Sequence, residues 1–258
     1  MTDNLGETYK PVRTILVSQP KPARSPYYEL EKKYDVVVDF RSFIHVEAVP
    51  LKEYRKQRIN ISDYSAIIFT SKNSIDHFFS VCEELRVKIS QDTKYFCLTE
   101  SIALYLQKFI IYRKRKVFFG ARTIHDLKDS LLKHKKKEKF LLPCSNLGKE
   151  GVQRFLRENE FDYQDAIFYK TVSSDLSDLE NVTYDVLVFF SPQGIDSLYE
   201  NFPDFKQNDT RIAVFGPLTK KAVEDRGLTI DILVDRAAPS MSMALEKYLK
   251  NSNKIQVK

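Results

Sequence analysis

Few residues in this sequence are of the kinds that hold metals, close disulfides or cradle nucleotides. There are three cysteines, four histidines, seven glycines and no tryptophan among 258 residues. Cys82, Cys97 and Cys144 are odd in number and lie in or beside apolar runs. That pattern excludes a disulfide framework and points to reduced thiols in a cytosolic protein. His45, His77, His125 and His134 are scattered, without the Cys/His spacing of a metal site, so no metal is expected. His77 reads as a surface residue on a helix whose apolar face is made by its neighbours. No G-x-G-x-x-G or G-x-x-x-x-G-K-[ST] stretch occurs, which argues against a dinucleotide or P-loop site. No nucleophile elbow or Ser–His–Asp order is legible either. No apolar run approaches the length of a membrane span, and MTDNLGETYKPVR lacks a signal peptide's apolar core. The expectation is a cytoplasmic protein with no membrane partner.

What is present is a core and a repeat. Hydrophobic residues make up 43% of the chain, enough for a sizeable core in one or two domains. One pattern occurs twice, as YSAIIFTSKNSIDHFF over Tyr64–Phe79 and as YDVLVFFSPQGIDSLY over Tyr184–Tyr199. In register, Tyr64/Tyr184, Phe69/Phe189, Ser71/Ser191, Ile75/Ile195 and Asp76/Asp196 are identical. A continuous apolar run reads as a strand buried on both faces. A serine follows, placed to cap a helix, and apolar residues then recur at helical spacing. A strand's carboxyl end thus feeds a helix amino end. In parallel sheets ligands bind at that edge, where unpaired first-turn N–H groups and the helix dipole favour anions.

The same grammar continues along the chain. Thr14–Ser18, Lys94–Leu98, Phe140–Leu142, Ala166–Val172, Arg211–Phe215 and Ile230–Val234 read as strands. Pro50 and the polar run to Asp63 read as a crossing point between units, and Ser173–Asn181 as a polar return linker. Alternating strands and helices predict an α/β protein with parallel sheets. The N-terminal segment and the C-terminal third each hold too few elements for a sheet alone. Paired, they form one discontinuous lobe, residues 1–45 plus 176–258, with residues 51–172 inserted as a second. Residues 46–50 and 173–175 then form a two-stranded hinge, and the cleft between the lobes is the expected ligand site.

Hydroxyls and amides cluster at the predicted strand ends. They include Ser18, Thr70, Ser71, Asn73, Thr99, Ser101, Ser145, Asn146, Ser191, Gln193 and Thr219. Each alone suits a cap or turn; together they suit a ligand with several carboxylates or phosphates. The formal net charge of +6 agrees with an acidic partner. The Arg113–Lys116 and Lys133–Lys139 runs lack interleaved aromatics and read as solvated surface, so no nucleic-acid partner is expected. Tyr169 lies in the last apolar strand of the inserted lobe. A phenol there packs into the core, or, facing the ligand, donates a proton to a leaving group.

YSAIIFTS (Tyr64–Ser71), FLLPCSNLGKE (Phe140–Glu150), FYKTV (Phe168–Val172), VFFSPQGIDSL (Val188–Leu198) and IAVFGPLTKKAVEDRGL (Ile212–Leu228), in this order, resemble the uroporphyrinogen-III synthase family. The resemblance implies two α/β lobes with the active site between them. It implies a cofactor-free lyase that cyclises the linear tetrapyrrole hydroxymethylbilane, inverting the terminal ring and losing water. It makes Tyr169 the catalytic helper for hydroxyl departure. It matches Thr219 to the family threonine after Gly-Pro and the residues after Ser71 and Ser191 to the cleft edges. With the strand-end hydroxyls and amides, the expected substrate contacts are Ser71, Lys72, Asn73, Ser101, Ser145, Asn146, Ser191, Pro192, Gln193, Gly216 and Thr219, and a monomer is expected. The sequence departs from the family where Leu98-Thr99-Glu100-Ser101 replaces a glycine-containing turn, and where the first repeat has Lys72 against Pro192 in the second. A binding module for an anionic small molecule, hinge-bending but without turnover, is the alternative reading.

Overall fold

A computed structural model of the chain describes residues 9–147 and 150–253. The chain opens with β1 (Thr14–Val17), α1 (Tyr28–Tyr34) and β2 (Val37–Phe40). It continues through β3 (Ile44–Ala48), α2 (Leu51–Lys56), β4 (Ala66–Phe69), α3 (Lys72–Glu84), β5 (Lys94–Cys97) and α4 (Glu100–Tyr105). Then come β6 (Val117–Phe119), α5 (Lys128–His134), β7 (Phe140–Ser145), α6 (Glu150–Glu158) and β8 (Tyr163–Ser173). The last third holds β9 (Val186–Phe189), α7 (Pro192–Asn201), β10 (Arg211–Val214), α8 (Pro217–Asp225), β11 (Ile232–Leu233) and α9 (Met241–Ser252).

The residues divide into two compact units, cut between His45 and Val46 and again between Thr171 and Val172. The discontinuous unit has a five-stranded sheet in the order β11-β10-β9-β1-β2, with every pair parallel. The continuous unit has a six-stranded sheet in the order β3-β8-β7-β4-β5-β6, parallel from β8 to β6. β3 runs against β8. Phe43 pairs with Ser174 and Val49 with Phe168, so six residues forward on one strand are six back on the other. The α/β architecture expected from the alternating elements is therefore the one observed.

Each repeat strand is the middle of its sheet, which explains its unbroken apolar run. Ile67 and Phe69 of β4 join one core with Ile75, Phe78 and Val81 of α3. Ala66 and Ile68 face the other way, into a core with Leu131 of α5 and Phe155 and Leu156 of α6. In β9, Val186 and Val188 pack with α1 and α9 through Leu30, Met241 and Leu245, while Leu187 and Phe189 pack with Ile195, Leu198 and Val223 of α7 and α8. With both faces covered, alternation of polar and apolar residues has no place in these strands.

Two expectations are corrected. The run from Pro50 to Asp63 is not a bare crossing segment: it forms α2 and a 3₁₀ turn at Ile61–Asp63. Tyr54, only 1% exposed, anchors α2 on Phe168, with ring centroids 4.9 Å apart. β7 also runs on through Pro143. Its ladder with β4 ends at Leu141, whereas its pairing with β8 continues to Ser145. A residue without an N–H is tolerated where one of the two ladders has already stopped.

Candidate functional site

In the continuous unit the turn from β4 into α3 places Ser71 at the helix cap. Its backbone is extended, with φ −157°, and its Oγ accepts the Ser74 N–H at 3.1 Å. The Ser71 N–H donates in return to Ser74 Oγ at 3.2 Å, closing a capping box. A third group joins from β8. Tyr169 Oη lies 3.2 Å from Ser71 Oγ. Either hydroxyl can be the donor in this pair. In the arrangement where Ser71 Oγ accepts the Ser74 amide and gives its own proton to Tyr169, the phenol proton is left for another molecule.

Tyr169 is 7% exposed. Burial raises its pKa above the ordinary phenol value, only partly opposed by the Ser71 hydrogen bond, with the Cys144 thiol adding to the rise. It therefore stays protonated at neutral pH, suited to donate a proton rather than remove one. The ring of His77, on α3, stacks on the Tyr169 ring with centroids 5.0 Å apart and planes 19° from parallel. Burial holds the His77 pKa below the usual imidazole value, with the Asp76 carboxylate pulling weakly the other way. This corrects the reading of His77 as a surface residue: it is half-buried against the phenol. Only the helical half of that signal is legible in the sequence. Ser71, Ser74 and His77 are spaced three apart, so they lie along one side of the helix start.

The neighbouring positions separate into exposed and locally bonded groups. Lys72 and Asn73 are exposed on the first turn of α3, and the Lys72 Nζ lies 5.4 Å from the centre of the Tyr105 ring. Lys108 approaches the same ring at 4.2 Å. The Tyr105 hydroxyl donates to both oxygens of Asp76, at 2.8 and 3.0 Å. Ser101 is exposed on the first turn of α4, where Thr99 is the cap, and its Oγ is 3.0 Å from Thr99 Oγ1. Ser145 is 8% exposed and uses its hydroxyl locally, donating to the Leu147 carbonyl and accepting the Leu147 N–H. Asn146 Oδ1 accepts the Thr171 N–H at 2.9 Å, tying the loop after β7 to β8. Gly148 and Lys149 of the FLLPCSNLGKE motif lie outside the described residues.

The discontinuous unit repeats the arrangement at β9 and β10. Ser191 caps α7 with φ −152° and accepts the Gly194 N–H at 3.4 Å, and Pro192 takes the first helical position. Gln193 is half-buried beside it. Gly194 is closely packed: a Cβ there would meet the Phe189 ring at 3.3 Å, tight enough that the ring would have to shift by a few tenths of an ångström. Gly216 opens α8 with φ 86° and ψ 156°, a conformation essentially reserved for glycine. Thr219, three residues on, is 2% exposed. The structure thus gathers Ser71, Lys72, Asn73 and Tyr169 in one unit, and sets Ser191–Gln193 and Gly216–Thr219 at the helix starts that follow adjacent strands of the other. Among the described residues no group of His, Cys, Asp and Glu has the placement of a metal site. No helix among them is long and apolar enough to cross a membrane.

Comparisons with known proteins bear on this arrangement. The uroporphyrinogen-III synthetase of Helicobacter pylori 26695 is 18% identical, covering 93% of this chain and 99% of its own, with a TM-score of 0.61. A mutant uroporphyrinogen III synthase from the extremely thermophilic bacterium Thermus thermophilus is 13% identical, covering 94% of this chain and 100% of its own, with a TM-score of 0.53. At these identities the likeness shows a shared two-unit α/β fold. Comparison with curated protein sequences gave no match. The family model described as uroporphyrinogen-III synthase HemD matches residues 26–241. That span is most of the chain, and it places the protein in the uroporphyrinogen-III synthase family.

Proposed function

We propose that this chain catalyses the reaction that names its family, the cyclisation of hydroxymethylbilane to uroporphyrinogen III with inversion of the terminal ring and loss of water. The reaction is a lyase reaction that needs no cofactor, in a cytoplasmic monomer. The observation that supports the chemical step is the Ser71–Tyr169 contact, at 3.2 Å, inside the family-matched span. A protonated phenol, with Ser71 able to give it a hydrogen bond as its own proton leaves, is suited to help a hydroxyl depart. The C–O bond of the hydroxymethyl group breaks, Tyr169 gives its proton, and water departs with the bonding pair. The pyrrole's own electrons stabilise the resulting azafulvene cation. The pyrrole that closes the ring loses a proton in turn, and the phenol is restored.

Most of the enzyme's work is then holding a flexible chain in the geometry in which the inverted ring attacks. The bilane is a polycarboxylate. The exposed first turn around Lys72 and Asn73, the hydroxyl of Ser101 and the helix starts at Ser191–Gln193 and Gly216 supply donors for it, while Thr219, buried at 2% exposure, supports the α8 start from within. Ser145 and Asn146 contribute through the loop they hold. The hinge at residues 46–50 and 173–175 belongs to the same proposal. The test is to supply hydroxymethylbilane and score the isomer. Formation of the type III product above background, unchanged by a chelator, supports the reading. Only the spontaneous type I product overturns it, and retention of bilane without turnover points instead to the non-catalytic binding module. Elution at the monomer's size tests the oligomeric state.

A further inference from the structure

We infer that His77 is a positioning residue for Tyr169: stacked against the phenol ring, it fixes the direction in which the Tyr169 hydroxyl presents its proton. The inference deepens the proposed function and rests on it for its catalytic half.

Three observations carry it. The phenol is held at two points, and both belong to the start of α3. Its oxygen meets Ser71 Oγ at 3.2 Å, and its ring face meets the imidazole at 5.0 Å with the planes 19° apart. Core packing at 7% exposure already holds the Tyr169 side chain in place; the planar partner on one face sets the tilt of the ring, and with it the line along which the hydroxyl leaves the ring. Second, the imidazole is itself fixed. It sits in the second turn of a helix anchored by the Ser71 capping box and by Phe78 in the core, and its neighbour Asp76 is held by the Tyr105 hydroxyl. Third, the stack is uncharged at neutral pH, because burial keeps the imidazole from protonating there. A cation on the ring face would acidify the phenol and oppose the positive charge that develops when water leaves. The titratable groups around His77 are Tyr169 on β8, Asp76 on its own helix, Tyr105 on α4 through Asp76, and Cys144 on β7 beyond Tyr169.

The second copy of the repeat has a different residue here. Ser197 stands where the first copy has His77, and its hydroxyl donates to the Phe43 carbonyl. The stack is thus a feature of one unit and not a requirement of the shared scaffold.

The experiment compares His77→Ala and His77→Phe with the unaltered chain in two readouts. In turnover, His77→Ala should lower kcat roughly 10- to 100-fold with KM changed less than about 2-fold, the cost of a misdirected group. His77→Phe keeps a planar partner and should recover most of that loss. The unaltered enzyme should lose rate on the acid side as His77 protonates, and His77→Phe should not show that loss. The second readout needs no activity. With tyrosines carrying ¹³C at Cζ, and the Tyr169 resonance identified by its absence in Tyr169→Phe, that resonance should shift as pH falls below the ordinary imidazole range near 6.5. It should stop shifting in His77→Phe. An unaltered kcat and isomer ratio in His77→Ala overturns the inference while leaving the proposed function standing. A Tyr169 resonance that titrates identically in His77→Phe overturns it as well. If the unaltered chain makes only the type I isomer, the proposed function falls, and the resonance alone decides whether His77 governs the phenol.

Discussion

The two copies of the repeat start from the same residues and end in different chemistry. In both, a central strand is buried on each face, and Phe69 and Phe189 are fully enclosed, as are Ile75 and Ile195. In both, a serine in extended conformation caps the helix that follows. The identical positions therefore build scaffold. The positions that differ carry the distinctions. Ser74 closes a capping box in one copy, where Gly194 stands in the other because Phe189 crowds it. His77 stacks on Tyr169, while Ser197 bonds the backbone at Phe43. Ser71 bonds Tyr169, whereas Ser191 has only the Gly194 amide among the described residues. Even a shared residue is put to different uses: Asp76 accepts from Tyr105, and Asp196 pairs with Arg226 at 3.1 Å. Sequence identity between repeats marks what the fold needs, and divergence marks where one unit has gathered side chains around the Tyr169 phenol.

The sharpest way to break that contrast is Tyr169→Phe. The change removes one hydroxyl and leaves the ring in its stack with His77. Loss of a proton donor in the transition state costs on the order of 10²-fold in kcat. Loss of one hydrogen bond costs only about 1 kcal/mol of stability. Turnover should therefore collapse while thermal unfolding barely moves. Wild-type rates would mean that the first copy has no chemical privilege over the second.

A finer cut compares the two caps. Ser71→Ala and Ser191→Ala each remove the side-chain acceptor at a helix start and should each cost about 1 kcal/mol of stability. Only Ser71→Ala also releases the phenol, so it should lower kcat by roughly tenfold. Ser191→Ala should act on substrate affinity, raising KM a few-fold with kcat held. Equal losses of kcat in the two variants would erase the distinction between the copies.

How far these features are legible in the sequence depends on the distance over which they act. The central strands can be read from unbroken apolar runs, and both caps from a serine at the end of each run, because those signals span a handful of neighbouring residues. α2 is hidden because Lys52, Glu53, Arg55 and Lys56 mask a helix whose only deep anchor is Tyr54, and that anchor's partner, Phe168, is remote in sequence. The extension of β7 is hidden by Pro143, which reads as a strand's end unless the neighbouring ladder is known to stop first. Tyr169 can be singled out as a phenol in an apolar strand, but its bond to Ser71 joins residues 98 apart. His77 escapes a sequence reading for the same reason. Its helical face is visible, but not the strand against which that face lies.

The smallest effect expected is at the opposite ends of the same strands. Ser65 and Asp185 are the residues just before β4 and β9, and each receives through its carbonyl the first amide of the next strand, Lys94 or Arg211. In the second copy Asp185 itself supplies the carboxylate, accepting the Arg13 and Thr14 amides at 2.8 and 3.0 Å. Asp185 also faces the Arg211 guanidinium at 3.8 Å; in the first copy Ser65 has no carboxylate, and Glu138 supplies the one that faces Lys94, the counterpart of Arg211, at 2.6 Å. Burial works to raise the Glu138 pKa, but the hydrogen bonds from Lys94 and Ser65, with the Lys94 charge, outweigh it and hold the carboxyl below its usual 4.5. A depressed folded-state pKa gives stability that is complete above the unfolded value and drains away as pH falls through the folded one. Glu138→Gln should therefore cost about 1 kcal/mol or less at pH 7, and that cost should shrink as pH falls below 4.5 and vanish once the carboxyl of the folded protein is protonated. Urea unfolding across that pH range measures it. A penalty that stays the same on acidification would show that the first copy does not use Glu138 in the role that Asp185 plays in the second.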